Sequence, residues 1–303
     1  EFETLQFGDD AAAGGRGPTL GTYEAANTSD VETIVIDNLN GNLTLNSLSA
    51  GIAVNINNGG ANDDIALSGP GSGAVDVNLD SGIDPATTPS SLINGGNELA
   101  VAEFETLNLD VARPDAFASS ASADLTLDLN LDGRPSGTTN PGTTNQVDES
   151  VETLNITGGS PDTQDSLTLT SNLPASNGAL PASLDTVDVS NYDGAFTASV
   201  ASVTDDGGAP ANDDLAFVLG KEDVNIGLTD NDANPGNSVD ASAIEFNTSF
   251  KITEAPATQD SNDNPAVTWT INSFIAAGDD DTGTFPDATN NNYSLLDVAD
   301  LGI

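Results

Sequence analysis

Apolar and polar residues alternate along much of the chain. Leu43-Thr44-Leu45, Val54-Asn55-Ile56, Val75-Asp76-Val77-Asn78-Leu79, Leu125-Thr126-Leu127-Asp128-Leu129-Asn130-Leu131 and Leu167-Thr168-Leu169 each place every second side chain on one face, as does Val267-Thr268-Trp269-Thr270-Ile271. A period of two marks a strand buried on one side. Trp269 in such a pattern reads as core rather than as a sugar platform. Thr suits the outward row by propensity, while Asn and Asp enter strands only where that row uses them. Turn formers separate the segments: Asn40-Gly41, Asn58-Gly59-Gly60, Asn94-Gly95-Gly96, Asp132-Gly133, Asn177-Gly178 and Asp193-Gly194. Helical periodicity is sparse, and only Ser294 to Leu301 suggests a short helical turn.

One strand pattern is written five times. Phe2-Glu3-Thr4-Leu5-Gln6-Phe7 returns as Val31-Glu32-Thr33-Ile34-Val35-Ile36, Phe104-Glu105-Thr106-Leu107-Asn108-Leu109, Val151-Glu152-Thr153-Leu154-Asn155-Ile156 and, more loosely, Leu184-Asp185-Thr186-Val187-Asp188-Val189. The starts are 29, 73, 47 and 33 residues apart. No fixed short period fits those intervals. A solenoid with loops of differing length leaving each turn does. Stacked in register, such strands set Thr on Thr outside and aliphatic on aliphatic inside. The expected fold is therefore all-β, an elongated parallel β-solenoid (β-helix) with irregular loops. Tandem β-sandwich domains are the alternative. Solenoid repeats are expected over 1–132 and again, with acidic turns, over 151–303. The Gly/Pro/Thr-rich stretch 133–150 is a loop or linker between them.

Charge changes the picture. The chain has 5 Lys plus Arg against 48 Asp plus Glu, for a formal charge of −43, and no His, Cys or Met. Phosphate-directed nucleic-acid binding needs a basic patch, and anionic membrane surfaces repel such a chain. Without Cys there is no disulfide, thiolate zinc site or iron–sulfur cluster; without His the usual general base and transition-metal ligand are missing. Two carboxylates about 4 Å apart repel by roughly 1 kcal/mol in water. Five basic side chains cannot neutralise that, so counter-charge comes from solution, as bulk salt or as bound Ca²⁺, which takes oxygen ligands. No apolar run is long enough to span a membrane as a helix. The chain opens inside a copy of the repeat, which reads as a mature or excerpted piece of a longer polypeptide.

Several acidic turns are candidate calcium ligands. Gly59-Gly60-Ala61-Asn62-Asp63-Asp64 is echoed by Gly207-Gly208-Ala209-Pro210-Ala211-Asn212-Asp213-Asp214. A glycine turn lets carbonyls converge, and the Asp pair supplies hard oxygens; a polar turn leading into a strand is the other reading. Asp230, Asp232 and Asn234 have the 1, 3, 5 spacing that opens an EF-hand loop, but Pro235 stands where glycine is needed and Ala241 where the bidentate Glu would be. That leaves at most a partial calcium loop. Asp260-Ser261-Asn262-Asp263-Asn264 is an oxygen-rich turn similar to a cadherin calcium linker. Asn-x-Ser/Thr occurs at Asn27, Asn42, Asn155, Asn247 and Asn292, as chance allows in so Asn- and Thr-rich a chain.

The repeated strand, the Gly-Gly…Asn-Asp-Asp turns, the lack of Cys and the acidic Thr/Asn/Ala/Gly-rich composition together resemble the Caulobacter-type S-layer proteins and RTX-like type I-secreted surface proteins. The resemblance covers roughly residues 1–220. The turns depart from the RTX nonapeptide at Asn62, and the second carries the extra Pro210-Ala211. The resemblance implies calcium-dependent folding after secretion, an extracellular or cell-surface location, and self-assembly. The expected function is a non-enzymatic structural protein forming an S-layer or surface filament, with Ca²⁺ stabilising fold and subunit contacts. Its expected partners are copies of itself and cell-surface polysaccharide. The alternatives are an adhesin stalk or sugar-binding module, and a halophile surface protein without specific calcium sites. A polysaccharide-active enzyme would use paired carboxylates such as Asp63/Asp64. The basic residues it would also want are only Arg16, Arg113, Arg134, Lys221 and Lys251, none beside a carboxylate pair.

Overall fold

The computed structural model describes residues 3–8, 21–25, 30–37, 42–57, 64–80, 91–93, 98–112, 124–131, 151–159, 166–170, 184–200, 216–229, 238–241, 250–255, 270–274 and 292–295. Short strands fill nearly all of them. In chain order they are β1 (Thr4–Gly8), β2 (Thr22–Glu24), β3 (Thr33–Asp37), β4 (Leu43–Asn46), β5 (Ile52–Asn57), β6 (Ile65–Ser68), β7 (Ala74–Asp80), β8 (Ser91–Ile93), β9 (Leu99–Ala102), β10 (Thr106–Ala112) and β11 (Asp124–Asn130). There follow β12 (Thr153–Gly159), β13 (Ser166–Thr170), β14 (Thr186–Asp193), β15 (Ala195–Val200), β16 (Ala216–Val218), β17 (Val224–Thr229), β18 (Ser238–Ala241), β19 (Phe250–Ala255), β20 (Thr270–Phe274) and β21 (Asn292–Leu295).

Successive strands fall alternately into two sheets. The first runs β1-β3-β5-β7-β10-β12-β14-β16-β18-β20; the second runs β2-β4-β6-β9-β11-β13-β15-β17-β19-β21, with β8 paired to β11 off that path. Every pairing is parallel except β19 with β21. This is the expected parallel β-solenoid, one strand per sheet per turn of the coil, and the antiparallel sandwich alternative is set aside. Ten strands at a spacing of about 4.8 Å give a stack roughly 45 Å long. β10 pairs with β12 and β11 with β13, so both sheets continue across the 133–150 stretch, which itself lies outside the described residues.

Inward side chains make columns along the stack. Leu5, Ile34, Val54, Val77, Leu109 and Ile156 are register partners in turn. Leu43, Ile65, Leu99 and Leu129 form a column on the second sheet. All but Leu5 are buried, at 3% exposure or less. Burying one such side chain stabilises by about 1.5–3 kcal/mol, so the aliphatic ladder is the main force holding one coil to the next.

The repeated motif is a corner plus a strand. In copies two to five the first apolar residue (Val31, Phe104, Val151, Leu184) is buried at the corner, the acidic residue is exposed, Thr is half-buried, and the next two apolar residues point into the core. All five copies lie in the first sheet, with Thr4 on Thr33, and Thr106 on Thr153 on Thr186. Between copies two and three come β5 and β7, which carry no motif. The coil lengths there, read from partners Thr33, Ala53, Asp76 and Asn108, are 20, 23 and 32 residues. The interval of 73 is thus three turns. Across it the motif slips by two positions, since Thr33 heads the column of Asn108 and not that of Thr106. A two-residue slip keeps every side chain on its own face; a one-residue slip would turn the core outward.

One expectation is corrected. Ser294 and Leu295, read as the start of a helical turn, belong to β21 and pair with Lys251 and Phe250, while 296–301 of that stretch lie outside the described residues. Backbone pairing along β19 outweighs the weak local helical preference of so short a stretch. Of the Val267–Ile271 segment, Thr270 and Ile271 lie in β20, while Trp269 lies outside the described residues.

Candidate functional site

The chemistry-bearing side chains are arranged as ladders across coils. On the outer face of the first sheet, Asp76, Asn108, Asn155 and Asp188 occupy one register column. Asn108 Nδ2 donates to Asp76 Oδ1 at 2.7 Å, and Asn155 Nδ2 donates to Asn108 Oδ1 at 2.8 Å. In the neighbouring column Asn78 Nδ2 donates to Asn55 Oδ1 at 2.7 Å. Half-buried amides pair across the 4.8 Å gap because a carboxamide carries both donor and acceptor. That explains Asn on strands its propensity disfavours. At Asp188 the donor is missing; its Oδ1 instead accepts the Ser190 N–H at 2.8 Å, where a bulge inserts an extra residue between Asp188 and Asn191.

The bulge adjoins Gly158 and Gly159, at φ of 97° and 78°. A Cβ on Gly158 would stand 2.4 Å from the Val111 carbonyl oxygen, and one on Gly159 would stand 2.9 Å from the Tyr192 ring. Both the conformation and the close approach require glycine.

Asp64 joins three coils of the second sheet. Its Oδ2 accepts Asn42 Nδ2 at 2.7 Å, its Oδ1 accepts the Glu98 N–H at 3.2 Å, and its own N–H donates to Asn42 Oδ1 at 3.2 Å. Glu98, buried, continues the run by accepting Asn130 Nδ2 at 3.2 Å through Oε1. Asp128 accepts the Thr170 hydroxyl. At the opposite ends of the strands, Glu24 accepts from Asn46 Nδ2 at 2.8 Å, and Glu103 accepts the Ser68 hydroxyl. Each carboxylate is used as an acceptor that ties a corner or strand end to its neighbour.

The backbone repeats a pattern at the motif corners. Glu3 C=O accepts the N–H of both Glu32 and Thr33; Glu105 C=O accepts those of Glu152 and Thr153; Glu152 C=O accepts those of Asp185 and Thr186. The acidic side chains of Glu105, Glu152 and Asp185 therefore occupy successive coils, exposed, about 4.8 Å apart at the backbone. Each neighbouring pair repels by up to about 1 kcal/mol in water, less as salt screens it.

Of the sequence-predicted ligands, Asp64 alone lies among the described residues, where both its oxygens accept hydrogen bonds from protein donors. Asp63, Asp213, Asp214, Asp230, Asp232, Asn234, Asp260 and Asp263 lie outside them. Among the described residues no group of three or more acidic side chains converges as a metal site. Of the Asn-x-Ser/Thr sites, Asn42 and Asn155 use their Nδ2 in the ladders. Sequence reasoning missed Glu98, Asp128 and Asn130, which are buried. The signal available for the amide ladder was Asn at the same motif position in two copies, Asn108 and Asn155.

No protein-family model, no curated protein and no solved structure matches this chain.

Proposed function

We propose that this chain is a structural rod of an extracellular or cell-surface assembly, an S-layer or surface filament, and that it performs no reaction. One observation carries the reading: the repeated motif serves a single architectural purpose in one sheet, with the same buried corner residue and exposed acid in copies two to five, copies one and two stacked in register and copies three, four and five likewise. Such stacking yields a stiff linear body whose length scales with the number of coils. Asp64, Asp76 and Glu24 act as hydrogen-bond acceptors between coils, which suits a framework. Self-assembly through lateral or end contacts, with polysaccharide as a further partner, belongs to the same proposal. So does extracellular placement, where cations are plentiful enough to offset −43 charges.

Calcium at the acidic turns is the proposed source of that counter-charge. A second reading, in which bulk salt alone screens the chain, is favoured by Asp64, whose two oxygens are already engaged by Asn42 and Glu98. Thermal melts in calcium and in EDTA at equal ionic strength separate the two. A melting temperature that falls on chelation supports bound calcium; one that follows ionic strength alone supports screening. Negative-stain images of the purified protein test the assembly itself: ordered sheets or filaments are expected, and dispersed globular particles under every ionic condition would refute the rod.

A further inference from the structure

We draw no further inference here: the strongest candidate, the polar outer face of the first sheet where the Asp76–Asn108–Asn155 ladder lies beside the Thr106–Thr153–Thr186 column, belongs to the hydrogen-bonded framework already described, and nothing in the structure shows what covers it.

Discussion

Asn108→Asp is the sharpest probe of what holds the coils in register. Asn108 donates to Asp76 at 2.7 Å and accepts from Asn155 at 2.8 Å. The substitution keeps the size and the acceptor, removes the donor, and sets two carboxylates on adjacent rungs. A hydrogen bond to a charged acceptor contributes about 1.5–3 kcal/mol, toward the lower figure at this half-buried site. Carboxylates about 4 Å apart repel by roughly 1 kcal/mol in water and up to about 4 kcal/mol near a protein surface; partial exposure again favours the lower figure. The variant should be less stable by about 2–4 kcal/mol at pH 7, measured by urea unfolding against wild type. Repulsion makes the paired carboxylates harder to ionise in the folded state than in the unfolded one. The folded form then binds protons more readily, and its stability falls as pH rises. The deficit relative to wild type should accordingly shrink below about pH 4, near the ordinary carboxylate range. Asn108→Thr, which offers a shorter hydroxyl donor and adds no charge, should show a smaller deficit with no such pH dependence. An Asp variant within about 0.5 kcal/mol of wild type at pH 7, or a deficit that ignores pH, would refute the reasoning.

Other outcomes follow from single positions. Leu154→Ala, at a fully buried rung between Leu107 and Val187, should cost about 3–5 kcal/mol in denaturant unfolding. Gly158→Ala forces a side chain into positive φ and against the Val111 carbonyl, and should cost about 2 kcal/mol or more; an unchanged melting temperature would contradict the close approach. Asp64→Ala should lose about 1–3 kcal/mol equally in calcium and in EDTA, because its oxygens serve Asn42 and Glu98; a calcium-dependent gain that disappears in the variant would make Asp64 a ligand instead.

The strands were legible because period-2 alternation is a property of each segment alone. Leu43–Leu45, Val75–Leu79 and Leu167–Leu169 fall within β4, β7 and β13. The in-register stacking of copies one and two, and of copies three to five, was legible too, since like strands share one optimal register. The two-residue slip was not, for it depends on where the chain turns at Gly51 and Gly73, and either register keeps Ile34 and Leu107 inside. The burial of Glu98 and Asn130 arises where their two coils stack and Asn130 meets Glu98, a long-range contact that no local pattern encodes. β21 reads as neither clear strand nor clear helix, and its conformation comes from pairing with β19. For the site, the sequence marked oxygen-rich turns, but composition alone does not distinguish an aspartate that meets a cation from one that meets an amide. Asp64 meets the amide of Asn42.

The amide ladder on the first sheet has a direction. Asn78 donates back to Asn55, Asn108 to Asp76 and Asn155 to Asn108, and at the motif corners Thr33, Thr153 and Thr186 likewise give their N–H to the preceding coil. In the amide ladder itself the acceptors stand on the coil made first, and each new turn brings its own side-chain donor. A nascent chain can thus lengthen the stack in the order of its synthesis, every coil docking onto a finished template without waiting for a distant segment.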